Sequence, residues 1–342
     1  MTVLVTGAAG FIGYHTCRAL LDRGMDVVGI DNLNDYYSVD LKISRLELLN
    51  PYSNFRFVKV DISEQESLTE TLGSPRFDHV IHLAAQAGIR YSLENPFAYM
   101  KSNLMGHMVI LELCRHLPDL KHLIYASSSS VYGNSKTLPL SESDRADRPI
   151  SLYAATKRSD ELLSESYSHL YRIPQTGLRF FTVYGPWGRP DMAYWKFTQS
   201  ILDGKPIYVY NNGDMKRDFT YVDDIISGIL SVMDKPPEGN GNSSPHRILN
   251  IGNSRPESLT HMIGIIEQAL ECKAQIILEP MQPGDVYETY SDISAIQSLT
   301  GFKPETSIDV GLPKFVEWFK GHKEQLERLP EDNRVVPFIR PR

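Results

Sequence analysis

A short apolar run, Val3–Thr6, breaks at once into Gly7-Ala8-Ala9-Gly10-Phe11-Ile12-Gly13 and passes without a linker into an amphipathic stretch, Phe11–Arg23. Strand, glycine turn and helix in that order constrain the fold more than any other feature of the chain. One glycine permits the tight turn, another lets backbone approach a pyrophosphate, and the third lets the helix pack on the strand. The start of the helix then turns unpaired N–H groups and a partial positive charge toward a phosphate. The spacing is Gly-x-x-Gly-x-x-Gly, and a glycine triplet alone also describes an ordinary turn. Its position directly after a strand gives it a dinucleotide-binding reading, with Gly7, Gly10, Phe11, Ile12 and Gly13 as contacts.

The rest of the first half repeats the alternation. Apolar runs at Asp26–Asp31, Phe55–Asp61, His79–Leu83, His122–Ala126 and Thr176–Phe181 read as strands. Phe97–His116 and Tyr153–Tyr171 read as long helices. Runs this continuous suit parallel strands buried on both faces. Their order predicts an α/β fold, a doubly wound parallel sheet with right-handed crossovers. After Tyr184 the character changes. Gly185–Pro190 is a breaker-rich loop, followed by a helix near Lys196–Leu202, a strand at Ile207–Tyr210 and a helix at Asp223–Met233. Pro236–Pro245 reads as a surface loop, Arg247–Ile251 as a further strand of the large sheet, and the region from Ser258 as a small α/β cap. The expected division is a dinucleotide-binding Rossmann domain over 1–182, with 219–256 returning to it. A smaller C-terminal α/β substrate-binding domain takes 183–218 and 257–325, and 326–342 forms an irregular tail.

Bulk properties exclude several function classes. A net charge of −7 with no sustained basic run argues against nucleic-acid binding. No apolar run approaches the length of a membrane span, and the immediate N-terminal strand leaves no room for a secretory leader, so a cytoplasmic enzyme is expected. Cys17, Cys114 and Cys272 match no metal spacing, and their odd number argues against a disulfide scaffold. No metal site is expected. Asp31, at the end of the second strand, is placed to accept hydrogen bonds from the adenosine ribose and to repel a 2′-phosphate, which favours NAD over NADP. The adjoining Asn32 belongs to the same expected contact, and Asp61-Ile62 after the third strand reads either as an adenine contact or as a helix cap.

Tyr153 and Lys157 stand four apart at the start of the second long helix, downstream of the serine run Ser127–Ser130. A free tyrosine, with a pKa of about 10, is a poor base at neutral pH. A nearby ammonium and a cationic nicotinamide both favour the phenolate. Four-residue spacing puts the lysine on the same helical face, from which it also reaches a nicotinamide ribose. A serine hydroxyl completes the set by shuttling a proton or holding a substrate oxygen. Tyr-x-x-x-Lys alone is commonplace on helices. Its combination with the glycine turn, and with serines at the carboxyl end of a strand where such sheets bind ligands, points to hydride chemistry on an alcohol.

Taken together, these segments resemble the extended short-chain dehydrogenase/reductase family, and within it the nucleotide-sugar epimerases and dehydratases. The resemblance rests on TGAAGFIG at Thr6–Gly13, Asp31, HLAAQAGIRYS at His82–Ser92, YASSSSVYG at Tyr125–Gly133 and YAATK at Tyr153–Lys157. It continues through RFFTVYGPWGRPDM at Arg179–Met192, RDFTYVDD at Arg217–Asp224 and QPGDV at Gln282–Val286. It implies Tyr153, Lys157 and Ser128 as catalytic residues and adds Leu83, Ala84 and Ala85 to the cofactor contacts. It implies Arg90, Ser127, Ser128, Ser129, Thr182, Arg189, Arg217 and Asp285 as substrate contacts, with Arg217 on the diphosphate and Asp285 on the uridine ribose. The dehydratase pair Asp-Glu is missing after Ser128, where Ser129 and Ser130 stand. Thr182 replaces the asparagine usual in UDP-galactose epimerases, and Gln282 replaces an arginine. The combination is most similar to the UDP-glucuronate 4-epimerase branch.

The resemblance implies a tightly bound NAD that is regenerated in each turnover. Sugar carbon 4 is oxidised, the 4-keto sugar turns over in the site, and hydride returns to the opposite face, interconverting UDP-glucuronate and UDP-galacturonate. A 4-ketone makes the uronate a β-keto acid, which loses carbon dioxide when the breaking bond stands perpendicular to the carbonyl plane. Hydroxyl donors at Ser127, Ser128, Ser129 and Thr182 are expected to hold the carboxylate away from that orientation, each contributing on the order of 3 kcal/mol. The alternatives are a UDP-glucose/UDP-galactose 4-epimerase, a uronate decarboxylase and a non-catalytic NAD-binding regulator. Related enzymes pair through helices corresponding to Phe97–His116 and Tyr153–Tyr171, so a homodimer is expected.

Overall fold

The computed structural model describes residues 1–73, 76–240, 243–282, 285–323 and 326. The chain begins β1 (Thr2–Thr6), α1 (Phe11–Asp22), β2 (Asp26–Asp31), α2 (Val39–Glu47), β3 (Phe55–Lys59), α3 (Gln65–Leu72) and β4 (His79–His82). It continues through α4 (Tyr91–Glu94), α5 (Pro96–Tyr99), a π-helical segment Met100–Met105, α6 (Gly106–Arg115), β5 (His122–Ser128) and a 3-10 turn Ser129–Tyr132. Then come α7 (Leu152–Tyr171), β6 (Gln175–Phe180), β7 (Thr182–Tyr184), α8 (Ala193–Leu202), β8 (Ile207–Val209), β9 (Lys216–Tyr221), α9 (Val222–Met233) and β10 (His246–Ile251). The last elements among the described residues are β11 (Pro256–Ser258), α10 (Leu259–Leu270), β12 (Ile276–Leu278), β13 (Glu288–Thr289), α11 (Ser294–Thr300) and α12 (Ile308–Gly321).

Seven strands form one parallel sheet in the order β10-β6-β5-β4-β1-β2-β3. Successive residues of a strand point to opposite faces, and here both faces are covered. Leu4 joins Ile30, Val80 and Leu123 in one apolar layer. Its neighbours Val3 and Val5 join Ile81, Ile124 and Leu178 in the other. Two buried faces explain why the strands read as unbroken apolar runs. From β1 the chain winds outward through β2 and β3, then crosses back and winds the other way through β4, β5, β6 and β10. The reversal lies between β1 and β4, and crevices at such switch points are where open α/β sheets bind ligands.

Beside the carboxyl ends of these strands, β11, β9 and β13 form a smaller sheet, which β7 joins through β9, while β8 and β12 pair separately. The seven sheet strands lie within a residue or two of their expected positions, whereas α2, α3, β7 and β9 are not among the expected elements. The expected single helix Phe97–His116 is helical from Pro96 to Arg115 but widens at Met100–Met105. The wide turn swings Asn103 inward, where its amide bonds the backbone N–H and carbonyl of Gln86 at 2.8 and 3.1 Å and the Thr156 hydroxyl at 2.9 Å. Single π turns inside helices serve this re-aiming. Of the expected tail, 327–342 lies outside the described residues.

Candidate active site

The carboxyl ends of the central strands and the small sheets enclose a cavity of ≈ 1610 Å³. All the site residues named from the sequence line it: the Gly7–Gly13 turn, Asp31, Asn32, Asp61, Ile62, Leu83–Ala85, Arg90, Ser127–Ser129, Tyr153, Lys157, Thr182, Arg189, Arg217 and Asp285.

In the turn between β1 and α1 each glycine has a measurable reason. Gly7 adopts φ +72°, and a Cβ there would lie 2.8 Å from the Ala84 nitrogen. A Cβ on Gly13 would lie 1.9 Å from the Gly7 carbonyl oxygen, so α1 meets the turn backbone to backbone. Gly10 caps α1 without a side-chain partner, and the first turn carries no acidic residue. The helix N-terminus is thereby left open to an anion. Thr6 Oγ1 accepts from the backbone N–H groups of Leu83 (3.1 Å) and Ala84 (3.0 Å) and contacts His82 Nδ1 at 2.7 Å, tying β4 to the turn. Burial pushes His82 down to about 3, with Lys157 acting in the same direction, so the ring is neutral. Asp31 accepts from the N–H groups of Ala9 (3.2 Å) and Leu33 (2.8 Å). Burial works to raise the Asp61 carboxyl, but hydrogen bonds from Ser63 and Asn32 and the nearby Lys101 hold it below the usual range.

Ser151 caps α7, accepting from Ala154 N–H at 3.1 Å, and this sets Tyr153 in the first turn facing the cavity. The Tyr99 ring meets the Tyr153 ring edge-on at 6.1 Å. Lys157, buried one turn on, donates to the Ala126 carbonyl and to Asp160 Oδ2, both at 3.0 Å. Asp160 is fully buried and its Oδ1 has no hydrogen-bond partner among the described residues. Burial raises its carboxyl to about 6 against the pull of Lys157.

The serines divide as strand alternation requires. Ser128 ends β5 beside the cavity and its hydroxyl meets Ser130. Ser127 points the other way and donates to Glu161 at 2.6 Å. Glu161 is itself buried and holds Arg179 through two bonds (2.8 and 2.9 Å) and Arg158 at 2.7 Å. The hydroxyl of Ser127 is therefore engaged behind the site, although the residue lines it.

Beside the small sheets Thr182 begins β7, and Arg217 lies on the neighbouring β9. Arg90 and Asp285 face each other, 3.3 Å apart, with Arg90 stacked 4.6 Å from the Tyr210 ring. Arg189 is paired through both oxygens with Asp191, which also accepts from Tyr36. Lys196 lines the same cavity, its ammonium making no hydrogen bond or ion pair among the described residues, and burial lowers its pKa. The sequence reading passes over Lys196, Tyr36 and Asp191. Asp191 stands in the Arg189–Met192 stretch of the resemblance; Tyr36 has no local signal.

Residues 3–252 match the family described as NAD dependent epimerase/dehydratase. The chain belongs to that family. UDP-glucuronate 4-epimerase 1 of Arabidopsis thaliana is 46% identical over 329 residues, covering 93% of this chain and 76% of that protein. A probable UDP-glucuronate 4-epimerase of Rhizobium meliloti is 44% identical over 331 residues, covering 93% and 97%. Among solved structures, the UDP-glucuronic acid 4-epimerase of Bacillus cereus, in complex with UDP-glucuronic acid and NAD, superposes with a TM-score of 0.84 at 35% identity, covering 94% of this chain and 99% of that one. The family's cofactor fits this epimerase on its own geometry: side chains at Gly7 and Gly13 would collide with backbone, and the α1 N-terminus stands uncapped.

Proposed function

We propose that this epimerase interconverts UDP-glucuronate and UDP-galacturonate at sugar carbon 4 and leaves the carboxylate in place. Bound NAD supplies the reversible oxidation of the alcohol. Tyr153 takes the proton of the sugar hydroxyl and returns it after the ketone has turned over. Lys157, fixed by the Ala126 carbonyl and Asp160, provides the positive charge that favours the phenolate. Ser128 holds the reacting oxygen. Residues 1–182 with 219–256 take the role of cofactor domain, and 183–218 with 257–325 that of substrate domain, where Arg217 and Lys196 meet the diphosphate. Of the hydroxyls expected to restrain the carboxylate, Ser128, Ser129 and Thr182 remain candidates, since Ser127 is committed to Glu161.

The observation that carries the uronate reading is the agreement of two relatives and one complex named for UDP-glucuronate, each spanning more than nine-tenths of this chain. The test is proton NMR of the purified protein incubated separately with UDP-glucuronate and UDP-glucose. UDP-galacturonate should appear without UDP-pentose, and UDP-glucose should persist. Conversion of UDP-glucose alone would replace this reading with a neutral-sugar 4-epimerase.

Leu93, Phe97, Met100 and Met105, together with Leu162 and Leu170 of α7, are exposed apolar side chains. They support a homodimer paired through these helices. Phe97, 80% exposed, is the probe: Phe97→Glu should give a monomer by light scattering, and an unchanged dimer would place the interface elsewhere. Three unpaired cysteines fit a cytoplasmic setting.

A further inference from the structure

Arg45 lies on α2 and is completely buried, yet no carboxylate among the described residues pairs with it. A buried cation without a counter-charge is costly unless every donor is met, and all five N–H donors of this guanidinium are met. Nη1 donates to the Ala9 carbonyl (2.8 Å) and the Tyr37 hydroxyl (2.7 Å). Nε and Nη2 both donate to the Trp187 carbonyl (3.2 and 2.8 Å), and Nη2 also to the Gly188 carbonyl (2.8 Å). Ala9 sits in the glycine turn, while Trp187 and Gly188 immediately precede Arg189 in the substrate loop. The preceding carbonyl, Pro186, is held at 2.9 Å by His15 of α1. Burial lowers His15 to about 4 and leaves it neutral, a donor at one ring nitrogen. Three consecutive carbonyls of the substrate loop are thus grasped by two side chains of the cofactor half.

We propose that Arg45 is a positioning residue that couples the two ligand sites: its fork fixes the loop bearing Arg189, and its uncompensated charge raises the affinity of the glycine turn for the cofactor pyrophosphate. Arginine suits this because a planar fork meets several carbonyls at once, whereas a lysine offers a point charge. Charge and fork are therefore separable. The proposal rests on the epimerase reading for its substrate, but not for its cofactor arm. By linkage, if the clamp joins the sites, NAD and UDP-sugar must each strengthen the other's binding by the same factor.

The experiment compares Arg45→Lys, Arg45→Gln and Tyr37→Phe with the unmodified protein. NAD dissociation is followed by calorimetry on protein stripped of cofactor, and UDP-glucuronate binding by intrinsic fluorescence with and without NAD. The only three tryptophans, Trp187, Trp195 and Trp318, form one aromatic cluster, with Trp318 5.1 and 5.5 Å from the other two rings, so their emission reports the loop. Losing hydrogen bonds made by a charged donor should weaken both ligands roughly tenfold in Arg45→Gln. Arg45→Lys should retain NAD within about threefold while UDP-glucuronate stays roughly tenfold weaker. Tyr37→Phe should shift both in the same direction, by less, and it keeps the test open if Arg45→Gln does not fold. Equal losses in Arg45→Lys and Arg45→Gln, or sites that bind independently in the unmodified protein, would overturn the proposal. Failure of the unmodified protein to bind UDP-glucuronate at all would instead refute the substrate reading, with the NAD arm still deciding the charge role.

Discussion

Asp160→Asn should move the acid limb of the epimerase's pH–rate profile. Asp160 and Tyr153 lie seven positions apart on α7, so about 10.5 Å along its axis and on nearly the same face. With an effective dielectric constant of about 20, a unit charge at that distance is worth about 1.6 kcal/mol, which is about 1.2 pH units. Removing the carboxylate leaves Lys157 less compensated and favours the phenolate, so the limb should shift down by about one unit. The sign carries a second condition. Burial raises the Asp160 carboxyl to about 6, so in the unmodified protein it is already neutral well below that pH. Variant and unmodified protein should therefore converge in acid and separate in neutral solution. The assay is kcat/KM for UDP-glucuronate between about pH 5 and 9 by coupled product detection, with NAD content measured at each point. A fall at every pH without displacement of the limb would mean that Asp160 merely holds Lys157 in place, and would refute the electrostatic argument.

Gly13→Ala places a methyl group 1.9 Å from the Gly7 carbonyl oxygen. Forcing the turn from α1 should cut NAD affinity about tenfold or more, checked by calorimetry; full retention would remove the close-approach argument. Glu161→Gln leaves Arg179 buried without its counter-charge and should lower unfolding free energy by about 3–5 kcal/mol in urea, whereas a loss below about 1 kcal/mol would show the network to be dispensable. Thr182→Ala should release UDP-pentose beside the 4-epimer, seen by NMR; clean epimerisation would free Thr182 of any part in holding the carboxylate.

Much of this arrangement is legible in sequence because its signals are local. Val3–Thr6 followed by spaced glycines fixes β1, the turn and α1 together, since Gly10 and Gly13 answer contacts with Gly7 itself, although Gly7 also answers Ala84, just beyond β4. The buried strands announce themselves because both faces are apolar. What escapes is tertiary. Arg45 stands in a polar nine-residue helix, and its purpose emerges only when Trp187 and Gly188, more than a hundred residues later, fold back onto it. Glu161 reads as one more charge on an amphipathic helix until Arg179 and Ser127 close on it. The serine run is an intermediate case: the strand expected to end at Ala126 runs on to Ser128, and only that extension imposes the alternation that turns the Ser127 hydroxyl to Glu161.

The edge strand β10 carries a consequence for biosynthesis. It pairs with β6 residue for residue, His246 against Gln175 through Ile251 against Phe180. Every residue of β6 is buried in the finished protein. A ribosome that has just released β6 must still add about 70 residues before its partner emerges, a delay of several seconds at about 10 residues per second. Throughout that interval a strand destined for complete burial presents an open edge, the feature most prone to pair with another chain. The nascent protein thus passes through a window in which a chaperone, or simply a low local concentration of its own kind, decides whether the sheet closes on itself.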